Sequence, residues 1–185
     1  MQHHRLSGFS LIELLISITI VLTLTGLAMP NFASLTTKTR LSSTSNALFE
    51  SLYLARSYAI SSQKKVHVCH LNDDGSETCS NDREYNSNWS SGWLVFIDKN
   101  GNNDHDSDDE IISIIRKKQN INVVFNQRGR LRFFPDGSAR SAGFYLCDKH
   151  SKTFKHIYLL HSGRARVNEL LTEKQQKTCQ QVDLA

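Results

Sequence analysis

Gly8-Phe9-Ser10-Leu11-Ile12-Glu13-Leu14-Leu15 opens an apolar run that continues to Met29, and the reading of that run decides the fold. Ahead of it stand eight residues, Met1 to Gly8, with one firm positive charge at Arg5. From Phe9 to Met29 there are 21 residues, and Glu13 is the only formal charge among them. As a helix rising about 1.5 Å per residue, such a run is long enough to cross the hydrocarbon core of a bilayer. A carboxylate in that setting costs about 2.5–3.5 kcal/mol on insertion scales, so Glu13 is expected to have a partner and a task. A second reading is a secretory signal peptide, with Gly26-Leu27-Ala28 as its small-residue cleavage site. The length of the run, the acid near its start and the helical pattern beyond it argue against that reading.

Working outward, Leu41, Leu48, Leu52, Ala55 and Ala59 recur at steps of seven, four, three and four, which is a helical stripe. The spacing predicts one helix from about Phe9 to about Ser62, bent near Pro30, with its second half packed on a soluble domain. Its other face, with Lys38, Arg40 and Arg56, reads as solvated or inter-subunit surface. From Val66 onward the period changes to that of strands. The runs are Val66–Leu71, Trp93–Ile97, Ile111–Ile115, Ile121–Phe125, Leu131–Phe134, Phe144–Cys147, Ile157–Leu160 and Arg164–Val167. Turn dipeptides separate them, among them Asn100-Gly101, Asp136-Gly137 and Ser162-Gly163. The expected architecture is α+β, a long N-terminal helix on an antiparallel two-sheet, sandwich-like domain. The segments are 1–8, 9–29, 30–62 and a globular domain over 63–185.

The early signature closely resembles the processing and assembly motif of type IV pilins and type II secretion pseudopilins. That resemblance implies that a prepilin peptidase cuts after Gly8, so that 1–8 is a leader peptide, and methylates the new terminal amine at Phe9. Glu13, four residues further on, would neutralise the terminal ammonium of a neighbouring subunit and so fix axial register in the filament. Three further stretches are similar to the GspH/FimT branch of the same superfamily. They are Phe96-Ile97-Asp98 leading into an acidic turn, Phe134-Pro135-Asp136-Gly137, and Ser162-Gly163-Arg164-Ala165-Arg166-Val167. The last resembles the Gly-Arg-x-Arg signature of FimT-type minor pilins, which implies contact with extracellular DNA during natural transformation. Partners implied are other pilins, the prepilin peptidase, the inner membrane (a single pass) before assembly, and DNA at the cell surface afterwards. A structural GspH-type pseudopilin, or a minor pilin that only primes assembly, is the competing reading.

The net charge of +4 conceals a segregation, since residues 1–68 carry +4, 69–110 carry −9 and 111–185 carry +9. Such asymmetry points to a polyanion partner. Residues two apart on a strand share a face about 6.5–7 Å apart, roughly the phosphate spacing of a nucleic-acid strand, so Arg164 and Arg166 suit one backbone. Their ordinary alternative is to solubilise a strand or to pair with Glu169. Lys149, Lys152 and Lys155, with Lys174 and Lys177 in the tail, are the expected supporting cations. Arg128, Arg130 and Arg132 form a second alternating row, and Phe154 and Tyr158 are read as core rather than as base-stacking platforms. Binding of this kind is sequence-independent and weakened by salt.

Four cysteines in an exported domain lead to two disulfides. Cys69 and Cys79 flank the turn Asn72-Asp73-Asp74-Gly75 and are paired as a local clip, leaving Cys147 with Cys179. Zinc at Cys147 and His150 lacks a second tight ligand pair. The loop Asp98–Glu110 is rich in acids, but glycine stands fourth where a calcium loop wants it sixth, so it reads as an acidic hairpin. No nucleophile elbow, phosphate-cradling glycine loop or His-Glu-x-x-His occurs, so neither catalysis nor a cofactor is expected.

Overall fold

The computed structural model describes residues 10–81, 84–116, 121–148 and 153–181. Gly8 and Phe9, Lys149 and Lys152, and His150 lie outside the described residues. The chain falls into two compact units, Met1–Thr36 and Thr37–Ala185. Helix α1 (Leu11–Ser62) ends where the sequence pattern places its end. In the first unit its apolar side chains are exposed, Leu11, Ile12, Leu14, Leu15, Ile16 and Leu22 among them. The hydroxyls between them turn inward, Ser17 donating to the Glu13 carbonyl, Thr19 to Ile16 and Thr25 to Val21. These i−3 and i−4 bonds leave few unsatisfied polar groups on an otherwise apolar surface. Glu13 lies in the first turn, where the helix dipole favours an anion. Among the described residues no helix is long and apolar enough to cross a membrane. The side chains of residues 27–31 and 33 fall outside that description, so the described part of the run ends at Gly26.

In the second unit the predicted stripe is the buried one, with Leu41, Leu48, Leu52, Ala55 and Ala59 each almost fully enclosed. They pack into a core formed by two antiparallel sheets. Strands β1 (Lys65–His70), β3 (Gly92–Asp98), β4 (Glu110–Arg116) and β6 (Leu131–Phe133) make one sheet, in the order β4-β3-β1-β6. Strands β2 (Ser87–Asn88), β5 (Ile121–Phe125), β7 (Ala142–Asp148), β8 (Phe154–Leu159) and β9 (Ala165–Asn168) make the other, in the order β2-β5-β7-β8-β9. The eight expected strands are all present, and β2 is additional. Alternation along β3 sends Trp93, Val95 and Ile97 into the core, and Leu94 and Phe96 to a smaller cluster on the far face. Trp93 satisfies its indole N–H on Ser51 of α1, at 2.8 Å, which ties helix to sheet inside the core.

Both expected disulfides form. Cys69–Cys79 closes the short turn after β1, and Cys147–Cys179 joins β7 to a second helix, α2 (Glu173–Gln181). That helix packs on β5 and β7, where Cys147 and Cys179 meet Val124 and Tyr145, with Phe154 and Leu171 against them. The tail is therefore a helix laid over the outer face of the five-stranded sheet. Phe154 is part of this cluster, as expected of a packing residue.

Candidate nucleic-acid interface

Strands β8 and β9 are joined by a tight turn through His161-Ser162-Gly163. The Gly163 N–H donates to the Leu160 carbonyl at 2.9 Å, and the Leu160 N–H donates to the Arg164 carbonyl at 3.0 Å. Gly163 has φ +74°, a left-handed conformation that L side chains resist. It is also pressed on a second turn, because a Cβ at this position would lie 1.9 Å from the Gly137 carbonyl oxygen. Arg56 of α1 donates its Nε–H to that same oxygen at 3.1 Å. Gly137 thus holds α1 and the β8–β9 turn together.

This junction places Arg164 and Arg166 at the edge of the five-stranded sheet, both exposed, while Ala165 between them packs towards the core. With Phe49, Tyr53 and Arg56 of α1 they line one groove of about 290 Å³. Among the described residues its lining holds three arginines and no acidic residue. Neither Arg164 nor Arg166 enters an ion pair among the described residues, so both forks are open to a ligand. Tyr53, 67% exposed, adds an aromatic face beside them. Arg56 and Tyr53 were not legible as site residues. They precede Gly163 by about a hundred positions, and the packing of α1 on the core, together with the Gly137 turn, brings them to it.

The expected supporting lysines do not all gather here. Strand alternation puts Lys155 on the inward side of β8 with Ile157 and Leu159, and its side chain is only 17% exposed. It pairs with Glu169 at 3.8 Å and lines a different groove, with Lys38, Leu41 and Leu171. Glu169, the acid expected to compete for the arginines, is therefore engaged by a lysine instead. Lys174 and Lys177 are exposed on α2, which packs on β5 and β7 rather than on β9.

The second arginine row lines a larger cleft of about 520 Å³, with Asn102, Asp104, Phe134 and Arg140. Arg128 lies over the ring of Tyr85, 4.6 Å from its centroid. Arg130 donates to the Asn103 carbonyl at 2.6 Å and to Asp104 at 2.8 Å. Arg132 sits opposite His67 of β1 in the sheet register. His67 is wholly enclosed, stacked on Phe96 and 3.4 Å from Asp98. Burial, and then the charge of Arg132, lower its pKa to about 4, against the opposing pull of Asp98. The unfolded chain therefore takes up a proton near pH 6.5 that the folded chain refuses until about pH 4. Stability is fully present above pH 6.5 and falls through that window on acidification. The His67 contribution lost between pH 7.5 and 5 is about 2 kcal/mol. Chemical denaturation at the two pH values should show that loss, and His67→Asn should flatten it; an equal slope in the variant would assign the effect to other groups.

The acidic loop after β3 is bonded within itself. Asp98 accepts the N–H groups of Gly101 and Asn103, and Asp109 accepts those of Lys99 and Asp106. Donors from Asn100, Asp108 and Asn102 hold the Asp106 carboxyl below the usual carboxylate range. Among the described residues no group of three His, Cys, Asp or Glu is arranged to hold a metal ion.

Comparison with known proteins gives two family matches. The family described as type II transport protein GspH matches residues 44–164, and the prokaryotic N-terminal methylation motif matches residues 4–29. No curated protein matches the chain. Two crystal structures of the type IV minor pilin FimU from Pseudomonas aeruginosa are similar, each at 16% identity. One alignment covers 69% of this chain and 91% of FimU with a TM-score of 0.48, the other 71% and 90% with a TM-score of 0.49.

Proposed function

Because the chain belongs to the type II transport protein GspH family, within the type IV pilin superfamily, we propose that it is a FimT-like minor pilin that grips extracellular DNA during transformation. The observation that carries the DNA half is the groove itself, lined by three arginines from α1 and the β8–β9 hairpin with no acid among the described residues. Arginine forks bind phosphate oxygens in pairs, and Tyr53 offers a face for a sugar or base. The Arg164 and Arg166 pair supplies the phosphate contacts, and Gly163 permits the turn that presents them. Lys174, Lys177, Lys149 and Lys152 add long-range attraction rather than direct contact.

In a gel shift with full-length protein in non-ionic detergent, duplex DNA should bind at low salt and release as salt rises. Alanine at both Arg164 and Arg166 should abolish the shift at moderate salt and make the dependence of log affinity on log salt shallower by about two. An unchanged slope would remove these arginines from the interface.

The anchoring half rests on the methylation motif and on the exposed apolar side chains of α1. On this reading the peptidase frees Phe9, the helix holds the protein in the inner membrane by a single pass, and the same surface then packs against other pilins. Glu13 pairs with a neighbour's terminal ammonium. Glu13→Ala should leave the protein cleaved and membrane-bound but largely absent from sheared filaments; normal incorporation would contradict the pairing.

A structural role in a secretion apparatus is the second reading, favoured by the family's own description. Failure of the wild-type protein to shift DNA even in dilute buffer would decide for it.

A further inference from the structure

The cleft holding the second arginine row contains two arginines that no acidic side chain among the described residues neutralises. An antiparallel bridge pairs Phe133 with Ala139, and continuing that register by one residue sets Arg140 beside Arg132. Both line the cleft. Arg130 is matched by Asp104 and Arg128 rests on Tyr85, whereas Arg132 and Arg140 have no acidic partner among the described residues. The Nε of Arg132 is buried and finds no acceptor. Asp98, the buried carboxylate of β3, is already engaged by His67 and by the N–H groups of Gly101 and Asn103.

Like charges facing one another across a sheet are destabilising, and a buried donor without an acceptor carries its full desolvation cost. An oxyanion seated between the two guanidiniums relieves both. A phosphate group carries more negative charge and more acceptor oxygens than a carboxylate, and so matches two cationic forks better. The cleft's volume falls in the range of small-ligand sites, and Phe125, Leu131, Phe134 and Ala142 give it apolar walls beside the cations.

We propose that Arg132 and Arg140 form a phosphate-binding site, separate from the Arg164 and Arg166 groove, that takes the group either free or within a phosphodiester. The site stands on its own residues and does not require the DNA reading to hold.

The test compares full-length wild type, R132Q/R140Q and R164Q/R166Q in non-ionic detergent. Inorganic phosphate at constant ionic strength should raise the melting temperature of wild type and R164Q/R166Q alike and leave R132Q/R140Q unmoved. In phosphate-free buffer R132Q/R140Q should melt no lower than wild type, because the substitution removes repulsion; single R140Q, at an exposed position, checks the same point with less risk to folding. Titration with a short oligonucleotide then separates the sources. A salt slope shallower by about two in R132Q/R140Q identifies a phosphodiester of DNA as the occupant, and an unchanged slope with the thermal response intact identifies free phosphate. An equal thermal response in all three proteins would mean an adventitious ion only. That result, or the absence of both the thermal response and the slope change, overturns the site.

Discussion

Alanine at Gly163 is expected to destabilise the protein by about 2–5 kcal/mol, combining about 1–2 kcal/mol for a left-handed L residue with about 1–3 kcal/mol for forced backbone displacement. The added methyl would meet a carbonyl oxygen, that of Gly137, so the clash cannot be relieved by rotating a side chain. Gly75 supplies the control, since it has φ +84° with nothing near its missing Cβ. Gly75→Ala isolates the conformational cost and should lose only about 1–2 kcal/mol. The displaced turn also carries Arg164, so if the proposed DNA contact holds, Gly163→Ala should weaken DNA retention at temperatures where the protein is still folded. Equal melting of the two glycine variants would show that the contact with Gly137 is not tight in solution.

The second large effect is expected from replacing Cys147 and Cys179 together by serine. Their bridge closes a loop with a sequence separation of 32, worth about 3–4 kcal/mol in the chain-entropy treatment. For a domain of this size that corresponds to a fall in melting temperature of roughly 10 °C. The loss should be localised first in α2, because nine mostly polar residues cannot hold a helix without a surface to lie on. Amide exchange should therefore show α2 opening while β7 and β8 stay protected. Exchange that rises evenly across both sheets would mean that the bridge supports the whole sandwich rather than the tail.

Much of the fold was legible because two periods do not overlap. A stripe from Leu41 to Ala59 can only be helical, and β-branched or aromatic runs between turn dipeptides can only be strands of a sandwich. Strand β2 was not legible, since two residues, Ser87 and Asn88, carry no period. The helix α2 carries its own signal in the sequence. Thr172 and Gln175 form a reciprocal cap, Gln175 Oε1 accepting the Thr172 N–H at 2.8 Å, and Thr-x-x-Gln is the pattern that announces it.

The candidate site was legible only in part. Arg164 and Arg166 stand two apart after a glycine, and local spacing sufficed to put them on one groove. Lys155 misled because charge alone does not say which side of a strand a residue takes; its neighbours Ile157 and Leu159 do, and they point inward. Arg56 joins through a contact across 81 positions of chain, which no local pattern encodes.

That contact has a mechanical consequence. A displacement of α1 at Arg56 reaches the β8–β9 hairpin through the Gly137 carbonyl, in parallel with the Trp93–Ser51 link to the four-stranded sheet. The last turns of α1 and the turn that carries Arg164 therefore shift together when either is displaced.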